Sequence, residues 1–435
     1  ECFLRQNPTS KVVIITQKSL LGNFTKEFEK YGTAPNPRFE AHTYDALLNS
    51  YTKENKKYIS AKDAMVIFDE VHTIRNYESS KYFAAMKLVR NASKVLLLTA
   101  TPFVNTLCDF ISVINLLHKG YIIAPARAKI SAKDSKLPIY KANPEIRISE
   151  CGKSIRQLLE SGGITRQMDV IENLLQNRVA YARKKIGTGT DYPGVEIIRE
   201  KIAMKPEFEA AFLADVSAVS DVFADPSRFA NGFRRAVNKA GEGAVSDKIK
   251  YAVNIIKKDK SEYAKNLIFS NWIDFGINIL EDSLEKAGIT FAKITGETPS
   301  AERQANVARF NSLDSGLNTL IVSMAGSTGI DLKGVQNIIV IDPVWNSALL
   351  EQIKGRGVRY KSHIHLPPEK QIVKIYLPQL VEKAFAEGKT EKSLSGDYLL
   401  YEIIERKQGV EESLSQMINR VSITEKYRSI LPRYA

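Results

Sequence analysis

Two adjacent carboxylates and a histidine follow an apolar run early in the sequence. Val66–Phe68 has the composition of a buried strand, and Asp69, Glu70 and His72 come directly after it. In a mononucleotide-binding α/β domain, a carboxylate at a strand end can hold Mg²⁺, and a second one beside it can orient or deprotonate an attacking water. The stretch therefore predicts a centre for phosphate hydrolysis.

Two further strand-like runs end in hydroxyl side chains. Val95–Leu98 leads to Thr99, and Lys11–Ile15 leads to the sequence Thr16–Ser19. A Thr-x-Lys-Ser sequence at a helix N-terminus suits a phosphate, because hydroxyl and backbone N–H groups point outward with the helix dipole behind them. An ordinary N-capped crossover explains the same residues, so the pattern alone leaves both interpretations open.

A helix-like stretch in the second half of the chain has two arginines on one face. Gln352, Arg356 and Arg359 are spaced i, i+4 and i+7, so a helix would place them together. Guanidinium groups held in this way can stabilise the charge of a γ-phosphate presented by another domain. The alternative is a surface ion-pair helix. It fits less well, because Gly355 and Gly357 would each weaken such a helix by about 1 kcal/mol and instead suggest close packing.

A glycine-rich turn precedes this stretch. Gly326–Asp331 follows a strand-like run, lets the backbone approach a ligand, and offers the carboxylate of Asp331 to a ribose hydroxyl. A turn of this kind is a weak signal by itself.

Alternating strand and helix patterns must position these residues. Strands at 12–16, 66–69 and 95–99, separated by helical stretches, predict βαβ units and a parallel sheet, and a second such series begins near Ser246. The predicted fold class is α/β, with two parallel-sheet domains, a mainly helical insertion and a short helical C-terminal tail. The predicted boundaries are 1–118 for the first sheet domain, 119–245 for the insertion, 246–380 for the second sheet domain and 381–435 for the tail.

The motifs together resemble those of the superfamily 2 helicases and translocases. Val66–His72 looks like motif II and residues 95–102 like motif III, and the Gln-x-x-Gly-Arg-x-x-Arg pattern of Gln352–Arg359 looks like motif VI. The other resemblances are Val12–Leu21 to motif Ia, His42–Tyr44 to motif Ib, Ile268–Trp272 to motif IV and Ser323–Leu332 to motif V. The order of these elements is correct from residue 11 to residue 360.

Several sequence segments resemble particular groups within this superfamily. Leu97–Asn105, Gly296–Asn311 and Asp342–Asn346 resemble the Swi/Snf-type double-stranded DNA translocases. Arg359–Pro368 departs from the remodellers and is more similar to helicase-like NTPases of large cytoplasmic DNA viruses, such as the poxvirus nucleoside triphosphate phosphohydrolase and the early transcription factor small subunit. The resemblance implies two RecA-like domains, ATP and Mg²⁺ as cofactors, and a DNA helicase or translocase in viral transcription. The implied partners are double-stranded DNA, viral RNA polymerase and transcription factors.

The resemblance also implies a role for individual residues. Asp69 would hold Mg²⁺, and Glu70 would orient or deprotonate the attacking water. The other implied catalytic residues are His72, Gln352, Arg356 and Arg359. Nucleotide contacts are implied for Gly329 and Asp331, and coupling between the domains for Thr99 and Thr101. Contacts with the nucleic-acid backbone, which position a strand without reading its sequence, are implied for Thr16, Lys18, Ser19, Thr43, Ser270, Thr295 and Ser323.

One element of the family is missing from the sequence. The P-loop, Gly-x-x-x-x-Gly-Lys-Ser/Thr, should precede motif Ia, and it occurs nowhere in the 435 residues. The chain also begins at Glu1 without a methionine. We expect motif I upstream of Glu1, because a protein that had lost hydrolysis would not need Asp69, Glu70 and the motif VI arginines.

Composition agrees with an intracellular protein that binds an acidic partner. The net charge of +13 favours nucleic acid, although a basic protein without such a partner remains an alternative. The 3 cysteines are too far apart for a zinc site or a disulfide framework. No apolar run approaches the roughly 18 residues of a membrane span. We therefore expect no membrane partner and, for a viral protein, a location in the virion and at cytoplasmic replication sites.

Two other functions remain open at this point. One is a non-catalytic DNA-binding subunit that uses the helicase fold as a basic clamp. The other is an RNA helicase, which the motif chemistry does not distinguish from a DNA translocase.

Overall fold

Two parallel β-sheets form the frame of the protein. The computed structural model describes residues 2–18, 20–22, 24, 37–52, 58–77, 79–100, 107–120, 123–125, 146–148, 164–181, 191–217, 232, 234–241, 244–259, 263–327, 329–344 and 347–426. The chain forms two compact units, of which the first comprises residues 1–182 and 409–435 and the second residues 183–408. The predicted α/β class with two parallel sheets is confirmed.

The sheet of the first unit has the strand order β2-β1-β3-β4, with every neighbouring pair parallel. Its strands are β1 (Lys11–Thr16), β2 (Phe39–Thr43), β3 (Ala64–Asp69) and β4 (Lys94–Leu98). The helices described in this part of the chain are α1 (Cys2–Gln6), α2 (Tyr44–Thr52), α3 (Ser80–Arg90), α4 (Leu107–Leu117) and α5 (Ile164–Leu175). A short parallel pair, β5 (Ile123–Pro125) and β6 (Ile146–Ile148), follows α4 in sequence.

Alternate residues of β1 enter cores on opposite faces of this sheet. Val13 and Ile15 pack with residues of α2 and α3, whereas Val12 and Ile14 pack with Leu4 of α1. Covered faces are the rule for parallel sheets, and they explain why β1 reads as a continuous apolar run. The carboxyl ends of β1 and β3 consequently lie side by side at one edge.

The sheet of the second unit has six parallel strands in the order β11-β12-β10-β13-β14-β7. Its strands are β7 (Gly194–Ala203), β10 (Asn266–Phe269), β11 (Phe291–Ile294), β12 (Thr319–Val322), β13 (Asn337–Val340) and β14 (Ile372–Val381). A small antiparallel pair, β8 (Lys239–Ala240) and β9 (Ala244–Val245), precedes β10.

The α-helices described from residue 206 to residue 426 include members that pack on both faces of the second sheet. They are α6 (Pro206–Ser217), α7 (Asp247–Lys258), α8 (Asn278–Lys286), α9 (Ser300–Asn311), α10 (Met324–Ser327), α11 (Ser347–Gly357), α12 (Lys383–Ala386), α13 (Gly396–Val421) and α14 (Ile423–Lys426). One core joins Phe269 with residues of α9, α11 and α13, and the other joins Ile268 with residues of α7 and α8. None of the helices in the described ranges has the length and apolarity needed to span a bilayer.

Strand β7 differs from the sequence prediction, which placed a mainly helical insertion at 119–245. It pairs with β14 along ten residues at the edge of the second sheet. Its charged residues, such as Glu196, Arg199 and Glu200, hid the strand pattern because both faces of this edge strand are largely exposed. We therefore propose that the second domain begins before residue 194, upstream of the predicted boundary at 246.

The C-terminal tail also differs from its prediction. The sequence predicts a short helical tail at 381–435, and in the structure α13 is one helix that continues through Gly409. Its early residues, Tyr401 and Ile404, belong to the core of the second unit. Its later residues, including Met417, pack with α4 and α5 in the first unit. We propose that this helix is part of both cores rather than an appended tail.

Candidate nucleotide-hydrolysis site

Asp69 ends β3, and its neighbour on β1 fixes its carboxylate. Ile15 lies opposite Phe68 in the parallel register, so the next residues, Thr16 and Asp69, meet at the same sheet edge. The hydroxyl of Thr16 donates to Asp69 Oδ2 over 2.9 Å. Thr16 is fully buried, which makes it a positioning residue for Asp69. This arrangement corrects the prediction that Thr16 meets a nucleic-acid backbone.

Tyr44, at the start of α2, holds the backbone of Asp69. Its hydroxyl donates to the carbonyl oxygen of Asp69 over 2.7 Å, and its ring stacks at 6.2 Å from that of Phe68. Burial raises the pKa of the Tyr44 hydroxyl, so the group remains a neutral donor. Sequence reasoning missed this contact, because a tyrosine following β2 carries no signal of its distant partner.

Glu70 turns the chain sharply after the strand. Its backbone is left-handed, with φ 52° and ψ 49°, and a 3₁₀ turn over Val71–Ile74 follows. Such a backbone costs of order 1 kcal/mol or more for a residue with a Cβ, and strained positions of this kind cluster at functional sites. The turn places His72 beside Glu70.

His72 contacts two of the predicted residues. Its Nδ1 lies 3.2 Å from Glu70 Oε2 and 3.0 Å from the hydroxyl of Thr99, which follows β4. Arg75 holds the same turn, because its Nη1 donates to the carbonyl oxygen of His72 over 3.1 Å. The structure thus brings Asp69, Glu70, His72 and Thr99 together, whereas Thr101 lies outside the described residues.

The carboxyl of Asp69 suits a cation. Burial raises its pKa above the ordinary value, and the charge of Glu70 adds to the rise, while the hydrogen bond from Thr16 opposes it. A divalent cation would compensate this half-buried charge, and Mg²⁺ commonly takes one or two protein carboxylates together with phosphate oxygens. Asp69 therefore fits the metal-holding role.

Replacing Asp69 with Asn is expected to raise the melting temperature of the first unit while removing the metal ligand. The raised pKa means that the folded protein favours the protonated carboxyl of Asp69 over the ionised one. The stability that the carboxyl contributes is therefore present below the unfolded pKa and is lost as pH rises through the folded pKa. At neutral pH, Asp69→Asn should therefore melt higher by roughly 2 °C, and the gain should vanish near the ordinary Asp pKa of about 3.9. Calorimetry without Mg²⁺ at both pH values measures it.

Thr16→Val is the matched variant for this prediction. It removes the hydroxyl that the ionised Asp69 accepts, so it should lower the melting temperature at neutral pH. A lower melting temperature for Asp69→Asn at neutral pH would show that the charge of Asp69 is already compensated.

Helix α11 carries part of the predicted motif VI. Gln352 and Arg356 lie on it, both half-buried, but the helix ends at Gly357, so the predicted shared helical face does not extend to Arg359. A Cβ on Gly357 would meet Ile338 Cδ1 at 3.0 Å, whereas one on Gly355 would meet nothing within 4 Å. The expectation of close packing is thus correct for Gly357 and wrong for Gly355.

Arg359 folds back from the turn after α11. Its Nε donates to the carbonyl oxygen of Gly355 over 2.8 Å, and its Nη1 lies 3.2 Å from Asp331 Oδ1. Gly329, two residues before Asp331, has a positive φ of 76°. Asn311, which sequence reasoning missed, fixes this loop by donating to the carbonyl oxygen of Asp331 and accepting from the amide of Lys333, each over 2.9 Å. The predicted nucleotide contacts and one predicted arginine therefore lie together.

The residues predicted to contact nucleic acid fall into two groups. Lys18 is exposed, and Thr43 and Thr295 are half-buried at strand ends. Ser270 and Ser323 are buried, and their hydroxyls bond within the protein, which argues against direct phosphate contacts. Ser270 donates to Asp342 Oδ2 over 2.7 Å, and Ser323 accepts from the amide of Gly326 over 3.0 Å. Ser19 lies outside the described residues.

Asp342 organises the turn after β10. Its Oδ2 accepts from the hydroxyl of Ser270 and from the amide of Asn271, each over 2.7 Å, and its Oδ1 accepts from the side chain of Asn238. Gly276 completes the packing, because a Cβ there would lie 1.9 Å from Ser270 Oγ. In the sequence, Asp342 stands out only as part of the segment Asp342–Asn346. Its three partners, Ser270, Asn271 and Asn238, are apparent only in the fold.

Comparisons with known proteins find a known domain in each of two parts of the chain. Residues 2–125 match the model of the SNF2-related domain, and residues 247–361 match that of the helicase conserved C-terminal domain. A protein of Acanthamoeba polyphaga mimivirus, named as an ATP-dependent RNA helicase, is 26% identical over 428 residues, covering 96% of this chain and 89% of that protein.

Entomopoxvirus proteins named nucleoside triphosphatase I are also similar. The protein of Heliothis armigera entomopoxvirus is 23% identical, and that of Melanoplus sanguinipes entomopoxvirus is 25% identical. The alignments cover 82% and 85% of this chain, but they span only 62% and 64% of those proteins.

Among solved structures, the Sulfolobus solfataricus SWI2/SNF2 ATPase core in complex with dsDNA covers 96% of this chain and 87% of its own, with 18% identity and a TM-score of 0.36. The assignment rests on the two domain models and the viral relatives. The chain therefore contains an SNF2-related domain and a helicase conserved C-terminal domain, and its similar relatives are viral helicase-like NTPases.

Proposed function

We propose that the protein is a nucleic-acid-stimulated ATPase that translocates on double-stranded DNA. The observation that carries the proposal is the cluster at the end of β3. There Thr16 fixes Asp69, and His72 contacts both Glu70 and Thr99. Two adjacent acids, one half-buried at a strand end and one on a strained turn, suit a site that holds a cation and acts on a water molecule.

Each residue of the cluster in the first unit has a separate proposed role. Asp69 would hold Mg²⁺, which supplies charge stabilisation to the phosphates when bound. Glu70 would accept a proton from the attacking water, and His72 would keep Glu70 oriented through their 3.2 Å contact. Thr99 shares His72 with Glu70, so a movement of the loop after β4 would change the position of the catalytic acid. This shared contact supports the proposed coupling role of His72 and Thr99.

The second unit carries its own set of proposed nucleotide-binding and charge-stabilising residues. We propose nucleotide contacts for Gly329 and Asp331, and stabilisation of transition-state charge for Arg356 and Arg359, with Gln352 beside them on α11. The 3.2 Å pair between Arg359 and Asp331 supports this assignment, because the guanidinium is held by a residue of the same proposed site. An arginine in this role is typically worth about 10³–10⁵ in kcat.

Nucleic-acid binding is proposed from charge and surface position. The net charge of +13 favours a polyanion, and Lys18, Thr43 and Thr295 remain available for backbone contacts. Contacts of this type are independent of sequence, as tracking along DNA requires. From the sequence resemblance we also propose a role in viral transcription, with the viral polymerase or its factors as partners.

Triplex displacement tests translocation directly. The complete natural protein, with any sequence that precedes Glu1, is needed because these 435 residues contain no P-loop. On duplex DNA carrying a third strand, ATP should drive release of that strand without separating the duplex. Hydrolysis of ATP without any displacement would contradict translocation while leaving the ATPase intact.

One other function, an RNA helicase, has specific support. The mimivirus relative is named as an RNA helicase, so duplex RNA belongs in the same assay. Stimulation by RNA in preference to DNA would favour that function. A non-catalytic clamp would instead bind DNA in a salt-sensitive manner and show no turnover in the complete protein.

A further inference from the structure

The turn that carries Arg359 is closed by the residue three positions later. Ser362 is buried, with 4% of its surface exposed, and its amide donates to the carbonyl oxygen of Arg359 over 3.2 Å. Its hydroxyl oxygen accepts from the amide of Arg359 over 3.2 Å and lies 2.8 Å from the same carbonyl oxygen. One serine therefore contacts both backbone polar groups of the proposed arginine finger.

His363 ties this turn to the loop before β13. It is 1% exposed, its Nε2 lies 2.8 Å from the carbonyl oxygen of Val335, and its Nδ1 lies 2.8 Å from Ser362 Oγ. A carbonyl oxygen only accepts, so Nε2 of the neutral ring carries the hydrogen, and Nδ1 is the acceptor nitrogen that contacts the hydroxyl of Ser362. Burial lowers the pKa of His363, which favours this neutral form, and His365 acts in the same direction.

The loop that receives His363 is itself fixed against the turn. The amide of Gly334 donates to the carbonyl oxygen of Ser362 over 2.9 Å. The side chain of Val335 packs closely on α11, because a Cβ built on Gly357 would lie 3.1 Å from the Cβ of Val335. The same loop, Gly334–Val335, thus holds the turn around Arg359 at its start, Gly357, and at its end, Ser362. A backbone fixed at both ends gives a side chain a defined direction.

We propose that Ser362 and His363 are positioning residues that set the direction of Arg359 toward the transferred phosphate. The proposal rests on the proposed ATPase function of Arg359. Neither residue touches the nucleotide in this account. They act through the backbone of Arg359, whose side chain then reaches Gly355 and Asp331.

Steady-state kinetics of Ser362→Ala in the complete natural protein tests the proposal. A finger displaced by less than 1 Å should lower kcat by about 10-fold or more, while KM for ATP changes little, because the arginine acts mainly in the transition state. Ser283→Ala is the matched control, since Ser283 donates to the carbonyl oxygen of Ile279 over 2.7 Å on α8 of the same unit. It should leave kcat unchanged.

A double-mutant cycle separates positioning from general damage. In an Arg359→Ala background, Ser362→Ala should cause no further loss of kcat, because the group it positions is gone. An additional loss similar to that in the wild type would overturn the proposal. A wild-type protein without hydrolysis would instead refute the proposed function.

Hydrogen–deuterium exchange provides a readout that does not need turnover. The amide hydrogen of Arg359 is donated to Ser362 Oγ, so Ser362→Ala should speed exchange in peptides covering this amide, whereas Ser283→Ala should not. Unchanged exchange at Arg359 would overturn the proposal whether or not the protein hydrolyses ATP.

Discussion

Glu70→Gln is expected to lower the nucleic-acid-stimulated rate of ATP hydrolysis by about 10³-fold, because the amide keeps the shape of the side chain but cannot accept a proton. The turn should survive the change. Its strained backbone is held by Tyr44 on the preceding residue and by Arg75 on the carbonyl oxygen of His72. KM for ATP and the melting temperature should therefore stay close to the wild-type values.

Glu40→Gln is the matched control for this variant. Glu40 lies on β2 of the same sheet, where its carboxylate pairs with Lys11 Nζ at 2.8 Å. Its replacement should leave kcat unchanged. A Glu70→Gln protein that retains more than about a tenth of the wild-type kcat would contradict general-base work by Glu70, for which losses of 10²–10⁴ are typical.

Lys248→Met is expected to lower the free energy of unfolding of the second unit by about 3–5 kcal/mol, because it leaves a buried carboxylate without its cation. Lys248 Nζ lies 2.7 Å from Asp397 Oδ2, and both side chains are 0% exposed. Urea denaturation measures the change. The pair joins the start of α7 to the start of α13, so its loss removes support from both helices.

The double variant Lys248→Met with Asp397→Leu removes the buried charge and should recover most of this stability. The surface pair between Lys250 and Asp247, at 3.2 Å with Lys250 53% exposed, provides the control. Lys250→Met should cost less than about 1 kcal/mol. An equal effect of Lys248→Met and Lys250→Met would show that burial does not decide the strength of the first pair.

Acid should partly rescue Lys248→Met. Burial raises the pKa of Asp397, and Lys248 opposes the rise. A raised pKa in the folded state gives stability that is present below the unfolded pKa and is lost as pH rises through the folded pKa. Without Lys248 the pKa of Asp397 rises further, so the carboxyl stays protonated over a wider pH range. The loss of unfolding free energy in the variant should therefore shrink as the pH falls from neutral toward about 4.

The candidate site residues of the first unit can be recognised in the sequence for a physical reason. A strand buried on both faces must be apolar, so the point where Val66–Phe68 gives way to Asp69 and Glu70 marks a strand end. The sequence does not show which hydroxyl side chains face a ligand and which bond within the protein. Thr16 and Thr43 both end strands and look alike in sequence, but Thr16 is buried against Asp69 and Thr43 caps α2 by accepting from the amide of Ala46.

Long-range partners are the part that the sequence does not reveal. Lys248 and Asp397 are 149 positions apart, and no local pattern links them. Ser362 and His363 look like a departure from the motif VI surroundings until the fold places Val335 against them. Strand β7 shows the same limit, because its charged sequence becomes a strand only by pairing with β14.

We propose that the cluster at the end of β3 hydrolyses ATP in response to DNA. Steady-state hydrolysis by the complete natural protein, with and without duplex DNA at fixed salt, measures it directly. We expect DNA to raise kcat, and we expect both Glu70→Gln and Arg359→Ala to abolish the stimulated rate. Turnover that is independent of DNA, or that persists in these variants, would contradict the account.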